Sequence, residues 1–386
     1  MKKIIHFAAI ALILCSSAST LQAQEDISSI FKAGVADLNT VANGYLTPAG
    51  NSFAAGLGTN WYNTAAVHKP FGFDLTIGGG LVEVPVAEQM FSLTGLTNLV
   101  PTNTSITQAP TFGGTGPGVE LNLMQPQTLG DGTANPLYPG KITSFITPAG
   151  ISKYMPTASV QFTIGLPFIN DVSVRFIPTV NASGFNVSMW GVGIKHNFKQ
   201  WIPVVKDLPF DASILLAYTK FDLKYGFPAS ARITPDMLVG SDLAYIPTNT
   251  DYSTQGMSIS ANAMTANIIV SKKLLFVTPY VGFGITKTSF NLTMAGNYPI
   301  LGNPKTHEEV IGGTTYTVPD REAGTNKPIM NIDNIANPIQ IAPTSEVMPN
   351  VTFGLRLKVL WVLSVHAQYT MQKYPTASAG FGISIR

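Results

Sequence analysis

The sequence predicts an all-β chain: an antiparallel up-and-down transmembrane β-barrel of about ten strands, with an N-terminal helical plug or hatch segment. Three observations predict it. Apolar and small polar residues alternate with a period of two in many separate segments, which puts each set on one face of a sheet. Charged residues are only 11% of the 386, against roughly 25% in ordinary soluble domains. The long connections between the alternating segments all follow odd-numbered strands, so a meander gathers them at one end, as outer-membrane barrels do.

The elements follow in order. Lys2 and Lys3 form a positive start, Ile4 to Leu14 an apolar run and Leu21-Gln22-Ala23 a cleavage site, so residues 1–23 read as a secretory signal. The single cysteine, Cys15, lies inside it, and bulky Leu14 before it argues against lipidation. Cleavage after Ala23 leaves no thiol for disulfide, metal or nucleophile chemistry. It also takes two of the 23 basic residues and leaves them equal to the 21 acidic ones, which removes any case for a nucleic-acid partner. Beyond residue 23 no run is long and apolar enough for a spanning helix.

Residues 24–66 read as an N-terminal helix and plug segment, either filling the lumen or packed as a periplasmic helix against the barrel base. Ile27, Ile30, Phe31, Leu38, Val41 and Tyr45 recur at helical spacing over 25–45, with Glu25 and Asp26 at the start and Gly44 as the stop. The small residues Ala54, Ala55, Gly56 and Gly58 suit packing inside a narrow lumen.

Residues 67–386 read as the barrel. Candidate strands lie near 71–84, 157–167, 171–180, 187–198, 209–225, 257–271, 275–292, 349–359, 361–372 and 376–386. The fifth needs a bulge near Thr219, because its apolar set shifts from Ile214, Leu216 and Tyr218 to Phe221, Leu223 and Tyr225. The sixth needs one too. The long external loops are 85–156, 226–256 and 293–348. The stretches 118–146 and 293–348 have room for further hairpins, so 12 or 14 strands are also compatible. Trp190, Trp201 and Trp361 stand near segment ends, where an interfacial aromatic girdle belongs.

Two resemblances add to this reading. The Gly/Ala-rich stretch and TNWYNTA element before the first strand resemble the hatch of long-chain fatty acid transporters, with Thr64 where that family usually has proline. The segments MPTASVQFTIGLPFINDVSVRFIP and WGVGIKHNFKQWIPVVKDLPFDASILLAYTKF resemble an uncharacterised family of Gram-negative outer-membrane proteins. The first resemblance implies a hatch-filled barrel that takes up hydrophobic molecules. The second implies the outer membrane and no assigned activity.

Motifs for catalysis are weak. Ser364 and His366 share one strand face without a third group, His307-Glu308-Glu309 lacks the second histidine of a zinc helix, and Gly113 to Gly118 contains Pro117 and opens no helix. The sequons at Asn103, Asn186, Asn291 and Asn350 carry no weight in a bacterial cell. No enzyme activity, metal or cofactor is expected. The better lead is the lumen face, where alternation points Asp74, Arg175, Lys195, Asp211, Arg356, Lys358 and His366 inward. Such charges brace a barrel or line a solute path. The expected partners are the lipid bilayer and a hydrophobic or anionic amphipathic small molecule. Passive uptake across the outer membrane is the first expectation. A structural or surface-exposed partner-binding barrel without a conducting lumen is the second.

Overall fold

The computed structural model describes residues 35–124, 141–168, 170–182, 184–203, 205–239, 243–311, 313–359 and 362–385. The expected signal segment, the first part of the expected helix and Trp361 lie outside the described residues.

Alternation becomes ten long strands: β1 (Phe73–Glu83), β2 (Tyr154–Leu166), β3 (Asn170–Ala182), β4 (Phe185–Asn197), β5 (Asp211–Gly226), β6 (Gly256–Ser271), β7 (Val277–Ala295), β8 (Gln340–Val359), β9 (Leu363–Met371) and β10 (Thr376–Ile385). Each pairs antiparallel with the next, and β10 pairs with β1 from Phe73↔Ile385 to Val82↔Thr376, which closes the barrel; β2 and β3 pair only from Gln161↔Arg175 to Leu166↔Asn170, at the short-turn end. Long connections fall at 84–153, 227–255 and 296–339, all at one end; the other end has short turns. The additional hairpins exist but stay out of the barrel. Glu120–Met124 pairs with Lys141–Ile146 and Leu99–Pro101, while Thr306–Ile311 pairs with Thr314–Pro319, all within the external loops.

The outer face of the short-turn half is an apolar belt. On β8, Phe353, Leu355, Leu357 and Val359 point outward; on β9, Leu363, Val365, Tyr369 and Met371 do the same. Leu355 is 52% exposed and its neighbour Arg356 only 4%. Together with the closed wall and the long loops at one end, this belt makes the chain an integral outer-membrane barrel. Among the described residues no helix is long and apolar enough to cross a membrane.

The long-loop half reverses the pattern. The pairing of β5 with β4 and β6 runs without a shift, so the bulges expected near Thr219 and in the sixth strand do not occur. The barrel's register shifts lie elsewhere, between Ile177 and Val180 and between Phe290 and Leu292. The apolar set changes parity because the environments exchange places. Above the belt, Lys220, Asp222 and Lys224 of β5 point outward into water while Phe221 and Leu223 point inward. On β6, Ser258 and Ser260 alternate in the same way with Ile259 and Ala261. Trp190, 45% exposed and level with Lys220 in the pairing, marks the upper border of the belt; Trp201 is exposed at the short-turn end.

A single helix, α1 (Val35–Leu57), fills the upper lumen and passes straight through Gly44 and Pro48. Gly44 is therefore no stop. A Cβ there would lie 2.3 Å from the Phe91 ring, so this glycine serves close packing. Gly50 meets Phe290 in the same way at 2.2 Å. Ala54 and Leu57 of α1 join Met189, Ala261, Phe290 and Leu292 of the wall in one apolar core. Val41 and Tyr45 join a second core with Phe91, Leu93, Leu99 and Leu121 of the first external loop.

Candidate functional site: the plugged lumen

Below Leu57 the chain turns from helix to extended segment and runs down the lumen to Gly72 at the short-turn end. Polar inward positions of the wall hold it by side chain to backbone bonds. Thr265 donates to Gly58 O at 3.0 Å, Gln161 to Trp61 O at 3.1 Å and Ser213 to Ala65 O at 2.5 Å, while Ser271 Oγ accepts from Ala65 N at 2.9 Å. The period-two face of Ser, Thr, Gln and Asn is thus the set of donors and acceptors an extended buried segment needs. Gly78 and Gly282 on that face make room for the plug: a Cβ would meet Asn60 Nδ2 at 2.2 Å and Tyr62 Oη at 1.9 Å.

Three charged clusters sit where wall and plug meet. Arg175, 2% exposed, donates to Leu57 O at 3.2 Å, Thr59 O at 2.9 Å and Gln161 Oε1 at 3.0 Å. Its guanidinium also stacks over the Trp61 ring at 3.9 Å. The cation faces the negative end of α1, where unpaired carbonyls compensate it. Lower down, Asp171 Oδ2 lies 3.1 Å from both Lys195 Nζ and His68 Nδ1, and its Oδ1 accepts from His68 N at 2.8 Å. Lys195 also donates to Thr64 O and Ala66 O, at 3.3 and 3.0 Å. In the third cluster, Arg356 Nη2 meets Asp74 Oδ2 at 3.4 Å, Thr76 donates to the other oxygen of Asp74, and His366 Nε2 lies 2.7 Å from Asn60 Oδ1.

Among the residues singled out from sequence, Asp74, Arg356 and His366 thus gather in one cluster, while Arg175 and Lys195 each belong to one of the other two. Asp211 and Lys358 are half-buried at the short-turn rim; Asp211 accepts from Asn197 Nδ2 at 3.5 Å. Two participants escaped the sequence reading. Asp171 shares the face of Ser173 and Arg175, so alternation could have found it. His68 lies in the irregular segment and carries no periodic signal. Ser364 donates to Gly382 O at 3.5 Å and makes no contact with His366 among the described bonds. His307 lies in the external hairpin, 2.5 Å from Asp320 Oδ1.

Within the lumen a void of about 20 Å³ remains beside Trp61, Tyr62, His68, Asp74 and Lys195. An open notch of about 610 Å³ lies at the external rim against Glu346, Met348 and Lys373.

The model of a family of unknown function, DUF6588, matches residues 1–385. No curated protein matches the chain. Among solved structures, the chain is similar to the translocator domain of the autotransporter NalP from Neisseria meningitidis, at 8% identity and TM-score 0.28, over 87% of this chain and 93% of that one. It is similar to the toluene transporter TbuX of Ralstonia pickettii, at 5% identity and TM-score 0.24, over 87% and 97% of the two chains. A third, the outer membrane protease OmpT from Escherichia coli, has 9% identity and TM-score 0.24, over 82% and 98%.

Proposed function

The chain belongs to this family of unknown function, DUF6588, and we propose that it is an outer-membrane barrel held closed by its plug, whose function is carried on its external face. The observation that supports this reading most is the continuity of plug and surface. One helix contributes to the core of the upper lumen and to the core of the first external loop. The loops are folded bodies with their own sheets. Folded loops of this kind present a fixed surface to a partner.

Uptake of hydrophobic or anionic amphipathic molecules is the second reading. The upper lumen, where Phe221 and Phe290 of the wall pack against α1, favours it. Transport would have to begin by displacing α1 and the segment 58–72, and with them Arg175, Asp171 and Lys195 from their partners. Ser364 and His366 are assigned no reaction, since they do not face each other as nucleophile and base.

Liposome swelling separates the two. The intact barrel is expected to admit neither sugars nor small hydrophobic amphipaths. Solute entry through the wild-type protein, at a rate lowered by a disulfide engineered between plug and wall, would establish uptake instead.

A further inference from the structure

We propose that the plug runs outward through the barrel, so that the amino-terminal end of α1, at Val35, stands at the cell surface. The inference rests on the direction of the plug and on the barrel's orientation as read from its long loops. The first turn of α1 belongs to the long-loop end. The Asp37 carboxylate accepts backbone N–H bonds from Thr97, Asn98 and Leu99, at 2.7–3.1 Å. Asn39 donates to Pro338 O at 2.7 Å and accepts from Gln340 N at 3.0 Å. The last turn is capped halfway down by Arg175 and Thr219 on Leu57 O. At the short-turn end, His68 reaches Asp171, and Phe71 N donates to Gly165 O at 2.8 Å.

Charge favours this polarity. The buried wall residue Arg175 caps the negative end of the helix, and an inverted helix would turn its positive end toward that cation. The chain then reverses at Lys69–Gly72, where Gly72 N donates to Lys69 O at 2.9 Å, and rises again as β1. Plug and β1 form a hairpin closed at the periplasmic rim, with both arms pointing outward. A chain secreted into the periplasm can reach this state by inserting that hairpin while the wall assembles around it. The amino end of α1 passes outward with the plug.

The test uses the absence of cysteine after Cys15. Single cysteines replace Ala36, which is exposed in the first turn of α1, Thr115, exposed in the first external loop, and Lys272, exposed in a short turn. Each variant is first checked for heat-modifiable migration, and Thr40→Cys replaces Ala36→Cys if the latter fails to assemble. A membrane-impermeant maleimide on intact cells is expected to label Ala36→Cys to the same extent as Thr115→Cys, and Lys272→Cys only after permeabilisation. Labelling of Thr115→Cys on intact cells with Ala36→Cys silent until permeabilisation overturns the proposal alone. Labelling of Lys272→Cys but not Thr115→Cys overturns it by inverting the barrel, together with the surface reading.

Discussion

Leu355 and Arg356 are adjacent in sequence and live in opposite solvents. Leu355→Arg is expected to cost about 2–4 kcal/mol near the bilayer midplane and to impair assembly. Arg356→Leu keeps the lipid face intact but strips the buried Asp74 of its cation, at a cost of roughly 3–5 kcal/mol. Adding Asp74→Asn should recover most of that loss. Denaturant unfolding in detergent of the single and double variants checks both statements, and equal effects of Arg356→Leu with and without Asp74→Asn would refute the pairing. A second test concerns the glycine face. Gly282→Ala places a methyl group 1.9 Å from Tyr62 Oη and should destabilise by about 1–3 kcal/mol, as overpacking does. Tyr62→Phe removes that oxygen and should relieve part of the loss in the double variant, at the expense of the Asn267 bond to Tyr62 Oη, 3.1 Å long.

At the scale of elements, the plug and the first external loop depend on each other. Asp37→Ala leaves the N–H groups of Thr97, Asn98 and Leu99 without their common acceptor, and the exchange of those amides should accelerate while barrel amides stay protected. Unchanged protection at 97–99 would show that the apolar core around Leu99 suffices. The hairpin Thr306–Ile311 with Thr314–Pro319 is clamped at its base by Asp320, bonded to Lys305 at 2.9 Å and to His307. Hydrogen bonds first from Lys305 and then from His307 hold the Asp320 carboxyl below its ordinary range. A depressed carboxyl pKa stabilises fully above the ordinary value and is lost as pH falls through the depressed one. Protection of the amides in this hairpin, taken relative to their intrinsic exchange at each pH, should therefore stay constant at neutral pH and fall only in acid. Loss of protection beginning on the alkaline side would assign the clamp to another group.

The whole molecule is a closed wall around an ordered chain segment, and its behaviour follows from that closure. It should migrate as a compact, heat-modifiable species in detergent gels, since ten paired strands close the wall around its full circumference. Immediate loss of the compact band without heating would contradict the closed β1–β10 pairing. The halves differ in what holds them together. Within the belt the wall is apolar outside and hydrogen-bonded to the plug inside. Above it the same strands form the shell of a water-soluble body with an apolar centre.

The sequence by itself determined the parts that repeat. Two-residue alternation is local, so the ten strands, the inward side of Arg175, Lys195 and Arg356, and the long loops at one end were all legible in it. The small residues around Ala54 and Gly56 also revealed a packed lumen. What only the tertiary structure decided is whatever depends on a neighbour distant in the chain. Gly44 reads as a helix stop until Phe91 is seen against it. The parity change at Thr219 reads as a bulge until the lumen above is seen to be apolar and the exterior wet. Alternation reports which residues share a face, but the solvent on that face is set by the bilayer's height and by what fills the barrel. The role of His68 and the outward direction of α1 depend on contacts with residues 60 or more positions away, which no local pattern records.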